Sequence, residues 1–156
     1  MRIIVTSGTG QGPTILSAFD AALLDAGIAN YNLITLSSII PPGAQVTKRK
    51  EDRNGLEYGH RLYVVMARYH QTEPGKEAWA GVGWQQREDS SGVFVEHYGS
   101  SKDEVVTLIK SSLETMVRSR KGEFGPIQSR LCGVVCEHAP VCAVVAAVYQ
   151  SEGWDR

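Results

Sequence analysis

Asn32-Leu33-Ile34-Thr35-Leu36-Ser37-Ser38-Ile39-Ile40-Pro41-Pro42 is the stretch on which the organisation of the chain turns. Its apolar residues predict a buried strand. Pro41-Pro42 must end it, because proline has no N–H to give to a sheet ladder. Two adjacent serines stand where the strand gives out. Hydroxyls at such a point often serve only to turn the chain, so Ser37 and Ser38 read first as punctuation, and their neighbours must decide whether they do chemistry.

On the N-terminal side, Arg2 to Ser7 predicts a short strand and Gly8-Thr9-Gly10-Gln11-Gly12-Pro13 a glycine-rich turn. Thr14 to Ala26 has helical periodicity, with Ile15, Leu16, Phe19, Ala22, Leu23 and Ala26 on one face, and Gly27 is a natural helix stop. Strand, Gly-x-Gly and helix invite comparison with a dinucleotide fold. Pro13 occupies the place of the third glycine, however, and no acidic residue ends the next strand. No Gly-Lys-Ser/Thr follows, so a phosphate-binding loop is not present either. The glycines are better explained by a tight turn or a close approach to a neighbour.

On the C-terminal side, Gln45 to His60 reads as a polar loop. Three strands follow, over Arg61–His70, Glu77–Gln86 and Gly92–Tyr98, separated by Pro74-Gly75 and the cluster Arg87 to Ser91. Ser101-Lys102-Asp103-Glu104 is a capping box. It launches a helix to about Arg120 whose inner face holds Val105, Leu108, Ile109, Ser112 and Met116. Ser129–His138 and Pro140–Tyr149 read as two buried strands. Two helices and about seven strands with many hairpins favour an α+β fold.

The chain has 156 residues, 42% of them hydrophobic, which suffices for one domain, 1–156, with a real core. A net charge of -1 gives no bulk attraction to nucleic acid or anionic membranes. Arg2 is followed by only three apolar residues before Thr6, so no signal peptide is expected, and Val141–Val148 is too short for a helical span. Cys132, Cys136 and Cys142 are odd in number, form no C-x-x-C pair and sit in apolar sequence, which predicts free buried thiols in a cytoplasmic protein. No zinc-like ligand spacing occurs, and no metal is expected.

No Gly-x-Ser-x-Gly elbow is present. His60, His70, His97 and His138 are scattered without an H-x-x-x-H pair, and nothing marks a Ser-His-Asp triad. What remains is Ser37-Ser38, Glu96 inside an otherwise apolar strand, and Asp20 beside Phe19 on the first helix. Glu96 in such a strand predicts a raised pKa.

In this company the chain resembles the pyruvoyl-dependent arginine decarboxylases. The densest likeness runs from Ala18-Phe19-Asp20-Ala21-Ala22-Leu23-Leu24 through Asn32 to Ser37-Ser38-Ile39-Ile40-Pro41-Pro42. Gly92-Val93-Phe94-Val95-Glu96 before a capped helix is a second marker, and Glu137-His138 with the small-residue closing strand also fits. The resemblance implies a four-layer αββα sandwich of largely antiparallel sheets, self-cleaved between Ser37 and Ser38 into a β chain (1–37) and an α chain (38–156). Ser38 would become a covalent pyruvoyl cofactor that forms a Schiff base with L-arginine, giving agmatine and carbon dioxide. It further implies Glu96 as proton donor, Asn32 as an aid to self-cleavage, and Asp20 with Leu23 as the substrate pocket. The partners expected are arginine and two further copies in a homotrimer with inter-subunit sites, with no nucleic acid and no membrane. Gly10-Gln11-Gly12 and Thr35 depart from some relatives, which carry an acidic loop and an arginine there. A pyruvoyl decarboxylase of another amino acid and an uncleaved, non-catalytic relative with a structural or regulatory role are the alternatives.

Overall fold

A computed structural model describes residues 1–155. Among them are two helices and nine strands: β1 (Arg2–Gln11), α1 (Ile15–Ala26), β2 (Asn32–Thr35), β3 (Ile39–Ile40), β4 (Gln45–Lys48), β5 (Arg61–Gln71), β6 (Glu77–Gln86), β7 (Gly92–Gly99), α2 (Lys102–Arg118), β8 (Gln128–Val135) and β9 (Val141–Glu152). One sheet has the order β2-β5-β9-β1-β4 and the other β3-β7-β6-β8. Only β1–β4 and β2–β5 are parallel pairs. α1 covers the first sheet and α2 the second, so the layers are α, β, β, α. No helix among the described residues is long and apolar enough to cross a membrane.

The principal core lies between the sheets, where Ile3, Val5, Val65, Val82, Trp84, Phe94 and Val145 meet. Separate clusters lie beneath each helix. Under α2, the fully buried stripe is Val105, Ile109 and Leu113, at helical spacing. Leu108 lies on the exposed side instead, and Ser112 turns to His97, 2.7 Å away. The serine half of the expected capping box is present, Ser101 Oγ accepting from the Glu104 N–H at 3.2 Å. The Glu104 carboxylate takes the N–H of Ser100 rather than that of Ser101.

Several expectations give way to the structure. β1 does not stop at Ser7 but continues to Gln11. The glycines allow a close approach, not a turn. A Cβ on Gly8 would lie 2.3 Å from the Ala22 carbonyl oxygen, and one on Gly10 would lie 2.4 Å from the Ala22 nitrogen. The buried stripe of α1 is correspondingly Ala18, Ala22 and Ala26, small residues that let helix and strand backbones nearly touch. Ile15 and Leu16 therefore lie outside the packed face, and Leu16 is 75% exposed. Gln45–Lys48 is a strand rather than loop, since the edge of β1 offers it a parallel ladder. Glu137 and His138 lie in the exposed turn after β8, because strand pairing to β6 ends at Val135.

The opening stretch also differs from its first reading. It is not one buried strand but two short edge strands in different sheets. β2 pairs with the start of β5, and β3 with the start of β7. Leu36, Ser37 and Ser38 are the crossover between the sheets. Most of β2 is exposed because α1 and the core lie along its neighbours.

Candidate active site

The crossover is held under strain at Ser38. Its φ is +71°, a region that non-glycine residues enter at a cost of about 1–3 kcal/mol. The torsion φ sets where a residue's Cβ lies relative to the preceding carbonyl carbon. At ordinary negative φ the Cβ of an L-residue points away from that carbon. At +71° it swings to the same side, which brings the Ser38 side chain toward the Ser37 carbonyl.

Three contacts hold this conformation. The Ser38 hydroxyl donates to Glu96 Oε1 at 2.6 Å. The Phe94 N–H donates to the Ser38 carbonyl at 2.8 Å. The Tyr149 hydroxyl donates to the Ile39 carbonyl at 2.7 Å. Upstream, the Leu36 N–H is anchored on the Val64 carbonyl at 2.9 Å. The serine therefore sits between a fixed strand end and a carboxyl group, with its backbone pinned on the downstream side.

Glu96 lies on the face of β7 that also carries Phe94 and turns toward the opposite sheet. Burial raises its pKa, as its apolar strand predicts. The hydrogen bond from Ser38 opposes that rise. No cation forms an ion pair with it among the described residues. A half-buried carboxyl without a countercharge holds its proton to higher pH than an ordinary glutamate, which suits it to both taking and returning one. Burial, and secondarily the charge of Glu96, pushes the Tyr149 phenol well above the usual tyrosine range, so it stays a hydrogen-bond donor.

Glu96 opens into a cleft of about 680 Å³ lined by Leu16, Phe19, Arg68, Tyr69, His70, Tyr98 and neighbours. The Arg68 guanidinium lies 4.5 Å above the centre of the Phe19 ring, and Tyr69 stacks on Tyr98 at 5.4 Å. A second hollow of about 490 Å³ shares Phe19, Met66 and Arg68 with the first and is lined by Leu23 and Asn32.

Of the residues singled out in the sequence, Ser38 and Glu96 are in direct contact. Ser37 is exposed one residue upstream. Leu23 and Asn32 lie together on the far side of the Phe19–Arg68 wall. The Asn32 amide donates to the Gly59 carbonyl at 2.7 Å rather than to either serine. Asp20 is exposed on α1 and lines neither hollow. Sequence reasoning missed Tyr149, which it read as the end of an apolar strand. The signal was there, since a buried tyrosine must place its hydroxyl on an acceptor.

A strained serine whose hydroxyl rests on a half-buried carboxyl without a countercharge has the parts of an activated-nucleophile centre: a hydroxyl with a proton acceptor beside it. The chain belongs to the pyruvoyl-dependent arginine decarboxylase family, whose profile it matches over residues 2–152. It is 36% identical to the pyruvoyl-dependent arginine decarboxylase of Halobacterium salinarum over 154 residues, covering 95% of this chain and 93% of the relative. It is 34% identical to pyruvoyl-dependent arginine decarboxylase 2 of Archaeoglobus fulgidus over 121 residues, or 76% and 77% of the two chains. With the Thermoplasma volcanium relative of the same name the figure is 39% over 107 residues, 67% of this chain and 59% of that one.

Proposed function

We propose that this protein cleaves itself between Ser37 and Ser38 and, once processed, decarboxylates L-arginine to agmatine and carbon dioxide. The observation that carries the reading is the 2.6 Å contact between Ser38 Oγ and Glu96 at a serine of φ +71°.

The steps follow from the groups present. Ser38 Oγ gives its proton to Glu96 and attacks the Ser37 carbonyl carbon. The C–N bond breaks, the freed nitrogen takes up a proton, and Ser37 is left joined to the Ser38 side chain as an ester. Loss of the Ser38 α-proton expels the Ser37 carboxylate and leaves dehydroalanine. Water converts this to a pyruvoyl group with release of ammonia. The residues fit that outcome. The hydrogen bonds from the Phe94 N–H and the Tyr149 hydroxyl fall on carbonyls of the α chain, so they survive the cut and hold the new terminus beside Glu96. When formed, the pyruvoyl carbonyl supplies an electron sink for the loss of carbon dioxide from an α-amino acid.

The rest is the work of side chains. Glu96 keeps a proton at hand for return to the substrate α-carbon, which its raised pKa permits. Asp20 offers a carboxylate to the guanidinium, a pairing suited to two parallel hydrogen bonds. Leu23 and Asn32 line the neighbouring hollow, and the part of Asn32 in self-cleavage is what the resemblance implies. The resemblance implies a homotrimer with inter-subunit sites, and Asp20, which lies outside the Glu96 cleft of its own chain, would serve the cleft of an adjacent protomer. Ile15, Leu16 and Tyr98, exposed around the cleft, provide apolar surface for that contact. The 1–37 and 38–156 chains together form the single domain, and the free thiols accord with a cytoplasmic location.

Intact mass measurement of the purified protein tests the reading. Two chains are expected, the larger lighter by ammonia than one beginning with serine. A single uncut chain after prolonged incubation would overturn it. The substrate assignment has its own check. Asp20→Asn should leave cleavage unchanged and raise the KM for arginine about tenfold or more, the effect of losing a charge-assisted pair. An unchanged KM removes Asp20 from the pocket.

A further inference from the structure

We infer that Tyr149 is a positioning residue for self-processing: by holding the Ile39 carbonyl, its hydroxyl keeps Ser38 in the backbone conformation from which Oγ reaches the Ser37 carbonyl. The inference rests on the reading of Ser37–Ser38 as the bond that is cut.

A left-handed serine persists only where its surroundings over-determine it. β3, which follows Ser38, cannot do so alone. It is two residues long, pairs on one side only, and its Ile39 side chain is 53% exposed. Without a further restraint, the peptide groups around Ile39 can rotate and release Ser38 to negative φ, turning its Cβ away from the Ser37 carbonyl. The restraint comes from the opposite sheet. Tyr149 is on β9 and donates across to Ile39 at 2.7 Å.

Two features show that this reach is built into the fold. The register between β5 and β9 slips at Tyr149. Tyr63 faces Gln150 and Val64 faces Val148, so Tyr149 is the extra residue of a bulge. Bulges re-aim side chains, often next to active sites. The Tyr149 ring is then locked edge-on against Phe94, with centroids 6.2 Å apart and planes at 64°. Phe94 is the residue whose own N–H holds the Ser38 carbonyl. One packed aromatic pair thus fixes the two consecutive carbonyls that follow the bond to be cut.

Tyr149→Phe removes the hydroxyl and keeps the ring. Freshly folded wild type and variant are followed by intact mass, each at the same interval below its own Tm, with and without hydroxylamine, which opens the Ser37–Ser38 ester but not an amide. The expected result is cleavage about tenfold slower in the variant, the effect of one hydrogen bond on the barrier, with hydroxylamine failing to restore the wild-type rate because the ester itself forms slowly. Equal rates without hydroxylamine would overturn the inference, leaving Tyr149 a packing residue. So would restoration by hydroxylamine, which would place the hydroxyl's role after ester formation. A wild type that never cleaves overturns the self-processing reading, and this inference with it.

Discussion

Ser37-Ser38 and Ser90-Ser91 are two adjacent serine pairs in one chain, each with one residue in the left-handed region, Ser38 at φ +71° and Ser90 at +69°. In each pair the second serine gives its hydroxyl to a carboxyl group, Ser38 to Glu96 at 2.6 Å and Ser91 to Asp89 at 2.5 Å. The local chemistry is nearly the same, but the surroundings are opposite. Asp89 is on the surface, and the hydrogen bonds from Ser91, with Arg87 nearby, hold its pKa below the usual range. The Arg87 guanidinium also donates to Ser91 Oγ at 2.9 Å. That carboxylate is a settled anion and a poor base. Glu96 has no such cation, and burial raises its pKa. The same motif is a hairpin turn in one place and, in the proposed function, the reactive centre in the other. What separates them is desolvation of the carboxyl group and the placing of the strain. Ser90 is strained to turn β6 into β7, whereas Ser38 is strained within a crossover that no hairpin requires.

The sharpest break in the comparison is Ser38→Ala, which removes both nucleophile and leaving group. Cleavage should vanish completely on a denaturing gel, while Ser91→Ala should cut at the wild-type rate and lose only about a few degrees of Tm. Glu96→Gln comes next. The amide still accepts from Ser38 but takes no proton, so cleavage should slow by about 10²-fold or more. It should also make the protein more stable at neutral pH. A carboxyl whose pKa is raised on folding favours the folded state only while protonated. That advantage is whole below the unfolded pKa and is lost as pH rises through the folded one. The Tm difference between Glu96→Gln and wild type should therefore open on going from acid to neutral pH, and a constant difference would remove Glu96 from a desolvated site. In the wild type, cleavage should slow as pH falls through a value above the ordinary glutamate range, where Glu96 loses its capacity as a base. Smallest is Ser90→Gly, which relieves left-handed strain in the turn and should raise stability by about 0.5–1 kcal/mol in a denaturant titration, with processing unchanged.

The four-layer arrangement came from the family resemblance, whereas the two helices, most strand positions and the α+β class were legible in the chain because buried strands and helices leave strong periodic signals. Glu96 was legible for the same reason, as a carboxyl in the apolar run Val93 to Val95. What was not legible depends on neighbours. Nothing in Arg2–Gln11 shows that Gly8 and Gly10 face the alanines of α1, since a turn and a close approach use the same residue. The crossover read as one strand because Leu33, Ile34, Leu36, Ile39 and Ile40 are interrupted only by Thr35, Ser37 and Ser38, which a strand tolerates, and the change of sheet within it has no local signature. Asn32 came from resemblance alone, and Asp20 stood out beside Phe19 on the first helix but took its role from the resemblance; within one chain neither touches the Ser38–Glu96 pair. Tyr149 was hidden because its role follows from a one-residue slip between strands that are distant in sequence.

β1 lies inside its sheet, paired on one side with β9 and on the other with β4. It belongs to the segment that ends at Ser37, whereas both flanking strands belong to the segment that begins at Ser38. Cutting the crossover therefore liberates nothing. The shorter piece, which carries α1 packed against β9, would stay threaded through the longer one as a two-chain complex assembled as a single molecule. Before the cut, refolding is unimolecular. After it, recovery needs two separate chains to meet, so it depends on concentration and competes with aggregation of the exposed core strands. The proposed maturation would thereby give up reversibility: a precursor can be unfolded and rebuilt, but a cut molecule would last only as long as it does not come apart.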